Sequence, residues 1–291
     1  MKLYVAGNGR SPNSSQIDYG TGTRNRLLSY AFIDDWAKDE FKFWIDAAPP
    51  GASVFLDSGA FSAHTKKTVI DLGKYCEYCK EHEHALAAYA VLDVIGSLDG
   101  TMANLREMRR RGLNPVPVYH ADREPLSVYE ELLDGSRYVC IGGMVGTAVT
   151  KERLNAQLDK CWRVTEKHWP VRVHGLGLTT QHLLERYPFY SSDSSSAIRG
   201  AGMGSVIRFR DRRSGIERLR LTAEGWRDDV RHFGDGAVVD GVGRVKDETA
   251  SRPSASAHQG RRVCNIEAQL RLERALTSLW ATRGVTWEET R

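Results

Sequence analysis

Six short apolar runs, each stopping at an aspartate, a histidine or a glycine, constrain this chain more than any other feature. They are Val54-Phe55-Leu56 into Asp57-Ser58-Gly59, Ala90-Val91-Leu92 into Asp93, Val116-Pro117-Val118-Tyr119 into His120, Tyr138-Val139-Cys140-Ile141 into Gly142-Gly143, Val171-Arg172-Val173 into His174-Gly175, and Phe189-Tyr190-Ser191-Ser192 into Asp193. Successive run ends stand 36, 27, 23, 32 and 18 residues apart, room for a helix and two short loops each time. That rhythm belongs to β/α units on a parallel sheet and excludes a sandwich or a helix bundle.

The intervening segments 68–84, 98–112, 124–134, 150–167 and 178–187 carry apolar residues at three and four spacing among charges, as in Leu154, Leu158, Cys161, Trp162 and Thr165. They read as amphipathic helices whose polar faces form an outer ring. Leu3-Tyr4-Val5-Ala6 supplies an early strand and Ser205-Val206-Ile207 a late one. The 291 residues then fit one α/β domain, a (β/α)8 TIM-type barrel of about 250 residues with insertions and a C-terminal helix. Residues 1–232 are the expected barrel core. Residues 233–262, where neither periodicity holds, are expected to be a mobile loop. Residues 263–291, with Ile266, Leu270, Ala275, Leu276, Leu279 and Trp280, are expected to form a helical extension docked on the barrel.

Right-handed crossovers bring every strand's carboxyl end to one mouth, where barrels keep their chemistry. Asp57, Asp93 and Asp193 are thereby gathered around one cavity with His120, His174 and the Gly142-Gly143 backbone. Three acids facing one pocket repel one another unless a ligand or shifted protonation relieves them. Two of them flanking a glycosidic carbon have complementary uses, one as nucleophile and the other as proton carrier. The third can accept hydrogen bonds from a guanine-like edge, and the two glycines allow close main-chain approach.

The formal net charge of +4 is mild but unevenly distributed, since nine arginines from Arg199 to Arg231 fall within 33 positions. This is either a solvated face or a phosphate-binding surface beside the mouth, with Arg199, Arg208, Arg210, Arg212 and Arg213 as its core. Arg10, Arg24 and Arg26, in the loop-like stretch 8–26, are candidates to extend it. Cys76 and Cys79 with His82 and His84 resemble a metal cluster, but a helix places both cysteines on one core-facing stripe, and that reading is preferred. The five cysteines, with no signal peptide or membrane-length apolar run, lead to the expectation of a reduced cytoplasmic protein.

The run Phe55-Leu-Asp57-Ser-Gly59-Ala-Phe61-Ser62 resembles the Asp-Ser-Gly-Gly-Phe/Tyr-Gln signature of the tRNA-guanine transglycosylase superfamily. Later elements come in a similar order: the acid Asp93, the polar His120, Ile141-Gly-Gly-Met-Val-Gly146 resembling the family's Gly-Leu-Ala-Val-Gly loop, His174-Gly-Leu-Gly177 resembling its Met-Gly-Val-Gly turn, and Asp193 where the family has its nucleophile. The resemblance spans about residues 53–196. It departs at Ala60 and Ser62, where the family has glycine and glutamine, and at His120, which replaces a glutamine. The Cys-x-Cys-x-x-Cys zinc site of the tRNA enzymes is also missing, so no zinc subdomain is expected. This zinc-less form is similar to the virus-associated branch that puts 7-deazaguanine into DNA.

That resemblance implies a base exchange without cofactor or metal. Asp193 attacks C1′ of a guanosine nucleotide, Asp57 is the general acid/base, and Asp93 holds the purine edge. Gly142, Gly143 and Met144 line the pocket, and Ser58, Phe61, His120 and His174 contact the substrate. It also implies DNA or tRNA and a free 7-deazaguanine as partners, no membrane, and a host cytoplasm for a viral form. A tRNA-guanine transglycosylase is the nearest alternative. Further ones are a metal-dependent barrel hydrolase using His120, His174, Asp57 and Asp193, and a non-catalytic nucleic-acid-binding subunit.

Overall fold

The computed structural model describes residues 1–7, 14–33, 44–45, 48–144, 150–220 and 255–287. Its strands are β1 (Lys2–Ala6), β2 (Asn25–Ser29), β3 (Ser53–Asp57), β4 (Ala88–Tyr89), β5 (Val118–His120), β6 (Tyr138–Gly142), β7 (Arg172–Gly175) and β8 (Ser191–Ser194). All pair in parallel, in the order β4-β3-β2-β1-β8-β7-β6-β5. Beyond β4 the chain bridges Ala90 to Val116, with Val91 N–H donating to Val116 C=O at 2.9 Å and Val116 N–H to Tyr89 C=O at 2.8 Å. Each strand therefore bonds to the next in chain order and the ring closes as a (β/α)8 barrel. Closure removes sheet edges and puts all carboxyl ends on one face.

The helices are α1 (Ser14–Gly20), α2 (Ala60–Lys66), α3 (Leu72–His82), α4 (Leu98–Arg110), α5 (Leu126–Asp134), α6 (Lys151–Thr165), α7 (Gln181–Arg186), α8 (Ser196–Gly202) and α9 (Ala255–Thr282). Asp71, Ser97 and Thr150 cap α3, α4 and α6 by accepting from Lys74, Gly100 and Arg153 N–H, which satisfies donors that a helix leaves open. The helices bury one stripe each, Thr101, Leu105 and Met108 on α4 and Leu158, Cys161, Trp162 and Thr165 on α6, where Leu154 of the expected stripe is only half-buried. Cys76 and Cys79 face the core of α3 beside Tyr75. No described helix is long and apolar enough to cross a membrane.

Three expectations are corrected. Ser205–Phe209 (β9) is not a barrel strand, because it pairs antiparallel with Ile216–Arg220 (β10) in a separate hairpin. The missing barrel strand is β2, inside the stretch read as loop-like. Its outward Arg26 is fully buried against Asp18 of α1 at 2.9 Å and lies over the Trp44 ring, so it extends no phosphate surface. Arg24 is exposed, and Arg10 lies outside the described residues. The C-terminal helix starts at Ala255, within the span expected as a mobile loop, whose remainder 233–254 is also outside the described residues.

The helix α9 packs on β1, α1, α7, α8 and β9, and so occupies the outer-ring place that follows the eighth strand. Ile266 meets Val5 and Ala197 in a buried cluster, and Arg262 Nη2 bonds Asp18 Oδ2 at 2.8 Å. Asn265 fastens the helix further, accepting from Ile207 N–H at 2.6 Å and donating to Ala197 and Ser205 carbonyls at 2.9 and 3.2 Å.

Candidate active site

The barrel interior below the mouth is aromatic. Phe55 of β3 stacks on the His174 ring at 4.8 Å, and Tyr4 of β1 meets both edge-on at 5.8 and 5.9 Å. Side chains alternate along a strand, so the residues two positions above this layer point inward too. Asp57 stands above Phe55, level with Ser29 of β2. Asp193 is the register partner of Tyr4. Asp93 arrives from the extended chain after β4, and His120 from the last position of β5. The three aspartates and two histidines singled out in the sequence thus converge on one mouth.

Asp57 has two jobs. Its Oδ2 accepts the Gly59 N–H at 2.9 Å and so turns the chain into α2. Gly59 holds φ at +78°, and a Cβ there would stand 2.4 Å from the Ala31 Cβ, so only glycine serves. Burial, and then the charges of Asp93 and Asp193, push the Asp57 carboxyl up to about 7 against weaker hydrogen bonding from Gly59 and Ser29. The result is an acid that exchanges a proton near neutrality.

Asp93 is held on both oxygens. Ser58 Oγ–H donates to Oδ1 at 2.9 Å and His120 Nε2 lies 3.1 Å from Oδ2. The other ring nitrogen of His120 is 3.0 Å from Glu124 Oε1, and the His120 N–H donates to Glu124 Oε2 at 2.8 Å. Burial would lower the His120 value, but hydrogen bonds and charge from Asp93 and Glu124 outweigh it and raise it to about 9. A ring between two carboxylates carries both protons and donates with both. Its folded value exceeds the free one, so it stabilises the fold fully below about pH 6.5. That contribution is lost as pH rises through about 9. In a histidine NMR titration His120 should turn near pH 9, and Glu124→Gln should bring the midpoint down. A midpoint near 6.5 in the wild type would exclude the clamp.

Asp193 is held on one side only. Its Oδ1 accepts the Gly177 N–H at 2.7 Å and lies 3.3 Å from His174 Nε2. The buried His174 is oriented in turn by Ser191 Oγ at 2.7 Å from Nδ1, and Ser191 by the Tyr138 hydroxyl at 2.7 Å. Among the described residues Oδ2 of Asp193 has no partner. A carboxylate fixed through one oxygen with the other uncommitted is arranged to attack.

The remaining candidates are placed less centrally. Gly142 and Gly143 do lie at the end of β6, but the space a side chain would occupy at Gly143 is taken by the protein. A Cβ on Gly142 would meet the His120 ring and Leu176, and one on Gly143 would run into the Asp122 carboxylate at 2.0 Å. Met144 is buried, while Val145 and Gly146 lie outside the described residues. Phe61 is 65% exposed on the rim at the start of α2. The five arginines are spread over α8 and the β9–β10 hairpin, not over the strand ends that carry the aspartates. Arg199 is exposed on α8, Arg208 is half-buried and engaged, and Arg210 and Arg213 are exposed on the hairpin. Arg212 pairs with Glu185 at 3.0 Å.

No protein-family model matches this chain, and no curated protein matches it. The site therefore has to speak through its own chemistry. Sequence reasoning missed Glu124, Ser191, Tyr138 and Ser29. Only Glu124 carried a local signal, four residues after His120; the others reach the site from neighbouring strands. Among the described residues no three His, Cys, Asp or Glu side chains are grouped to hold a metal ion.

Proposed function

We propose that this barrel is a DNA-guanine transglycosylase, exchanging guanine in DNA for a 7-deazaguanine base through a covalent aspartyl-nucleotide. The observation that carries the reading is the division of labour between two carboxylates. Asp193 is anchored through Oδ1 with Oδ2 uncommitted, whereas Asp57 holds a proton near neutral pH. A carboxylate anchored through one oxygen, beside a buried carboxyl pushed up to about 7, suits a nucleophile and an acid/base in one site.

In the forward half-reaction Asp193 Oδ2 forms a bond to C1′ as the C1′–N9 bond breaks. The electron pair goes to guanine, and Asp57 supplies the proton that guanine takes with it. In the return half the incoming 7-deazaguanine gives its N9 proton to Asp57 and attacks C1′, and the ester bond to Asp193 breaks. Asp93 accepts from the purine edge with lone pairs that Ser58 and His120 leave over. His120 has both nitrogens committed, so it acts on the base through Asp93 and is a positioning residue. A duplex hides C1′ from a barrel mouth, so the nucleotide is reached on a single strand or is flipped out of a duplex at a cost of a few kcal/mol. The resemblance to the zinc-less branch supports DNA over tRNA.

The test is incorporation of labelled guanine and labelled 7-cyano-7-deazaguanine into duplex DNA and into tRNA, side by side. Label in DNA is the expected result. Label in tRNA alone moves the function to the tRNA enzyme, and label in neither overturns base exchange.

A further inference from the structure

The β9–β10 hairpin and the C-terminal helix α9 meet along a seam that the chemistry above does not use. Two clefts open on it, of about 560 and about 510 Å³, with Arg212 lining both. The first has Ile207, Ile216 and Leu272 among its walls and Arg218 beside Arg212. The second is walled by Phe209 and Ala275 and carries Arg210, Arg271 and Arg274. Five guanidinium groups therefore line one seam.

Two carboxylates share it, and both are committed. Glu185 pairs with Arg212 at 3.0 Å. Asp211 accepts the Ser214 and Arg213 backbone N–H groups at 2.7 and 2.8 Å, which hold its carboxyl below the usual range. Arg210, Arg218 and Arg274 meet no carboxylate among the described residues. The lining charge is five minus two, or +3. Gln269, only 8% exposed, also lines the first cleft, and its amide nitrogen has no hydrogen-bond partner.

The seam begins at the mouth. Thr179 and Ser196 bound the first cleft; the former lies two residues past Gly177, which holds Asp193, and the latter follows the strand that carries Asp193. Guanidinium forks match phosphate oxygens, and apolar walls between them suit sugars. A membrane surface calls for cations spread over a face that meets the bilayer plane, whereas these line two clefts along one seam. Continuity with a site for a nucleotide selects a nucleic-acid strand among polyanions. Two clefts that share Arg212 and line up five guanidinium groups suit a flexible single strand, whose backbone can follow them from one to the next.

We propose that the seam between the hairpin and the C-terminal helix is a track for single-stranded nucleic acid leading away from the barrel mouth. Successive phosphodiesters sit on Arg218, Arg212, Arg210, Arg274 and Arg271, and the bases point outward. This rests on the base-exchange reading for the nature of the polyanion, and it adds a surface that sequence clustering does not reveal, because Arg271 and Arg274 lie far along the chain from the hairpin. Contacts of this type are indifferent to sequence.

The experiment is fluorescence anisotropy of the full chain with a labelled oligothymidylate over a range of salt, with base exchange measured in parallel. Arg271→Ala with Arg274→Ala should weaken binding about tenfold at low salt and flatten the salt slope by about 1.4, two phosphates at about 0.7 each. Arg274→Glu should weaken it further, and Arg106→Ala and Arg163→Ala, exposed on the outer ring, should leave it unchanged. Melting curves identify any variant that fails to fold, and Arg218→Ala on the opposite wall then gives an independent reading. Wild-type affinity and slope in all the seam variants overturn the track, as does a wild type that binds no oligothymidylate or prefers a duplex of equal length. Exchange that continues alongside unaltered binding discards the track alone. Binding through the track with no exchange into DNA or tRNA discards base exchange alone.

Discussion

Asp193→Asn should lower base exchange by about a thousandfold or more, as loss of a covalent nucleophile does. The variant should also form no covalent protein–nucleic acid adduct on denaturing gels. The substitution is close to isosteric, and the amide oxygen can still accept from Gly177 N–H, so the turn after β7 stays in place. Nucleic-acid binding should persist within about twofold, because the phosphate contacts lie elsewhere. An adduct that survives in this variant would remove Asp193 from the nucleophile's role. Simultaneous loss of binding and of thermal stability would instead mark the residue as a structural anchor for His174.

Asp57→Asn is expected to move activity and stability in opposite directions. Exchange should fall by about 10²- to 10⁴-fold, the usual contribution of a positioned proton carrier. Stability should rise, with a pH dependence whose sign is fixed. The wild-type carboxyl titrates at about 7 in the fold and near 3.9 unfolded. Between those values the unfolded chain has already released the proton that the native state keeps, so wild-type stability drains away as pH climbs. The asparagine variant has no such drain. Its melting temperature should match the wild type near pH 4, pull ahead up to pH 7 and keep a constant lead above. A lead that does not change with pH would show that Asp57 is not the strained acid. In the wild type the same group should bend the profile of kcat/KM near pH 7.

The sequence exposed the frame of the barrel because most of its strands are apolar on both faces. It hid β2 because Asn25-Arg26-Leu27-Leu28-Ser29 shows only two apolar residues. Its outward position is an arginine, buried through charge pairing with Asp18 instead of hydrophobic contact. The reverse error arose at Ser205–Phe209, where an apolar run announced a strand truthfully but not the sheet it joins. The site followed the same logic. Asp57, Asp93, His120, His174 and Asp193 were legible as strand-end residues. Ser191 stands in the strand run that ends at Asp193, but no local pattern tells that its buried hydroxyl orients His174. The two glycines after Ile141 were legible as close-approach points, but what approaches them is His120 and Asp122.

The pairing of Asp18 with Arg262 spans 244 residues of chain. During synthesis the strands of the barrel emerge first, while Val5 waits for Ile266, its partner on the outer face. Contacts of such sequence separation slow folding, because a long loop must close before they reward it. The nascent ring is consequently left with an uncovered apolar stave until α9 has been made. Chains released early should be the ones that chaperones and proteases encounter.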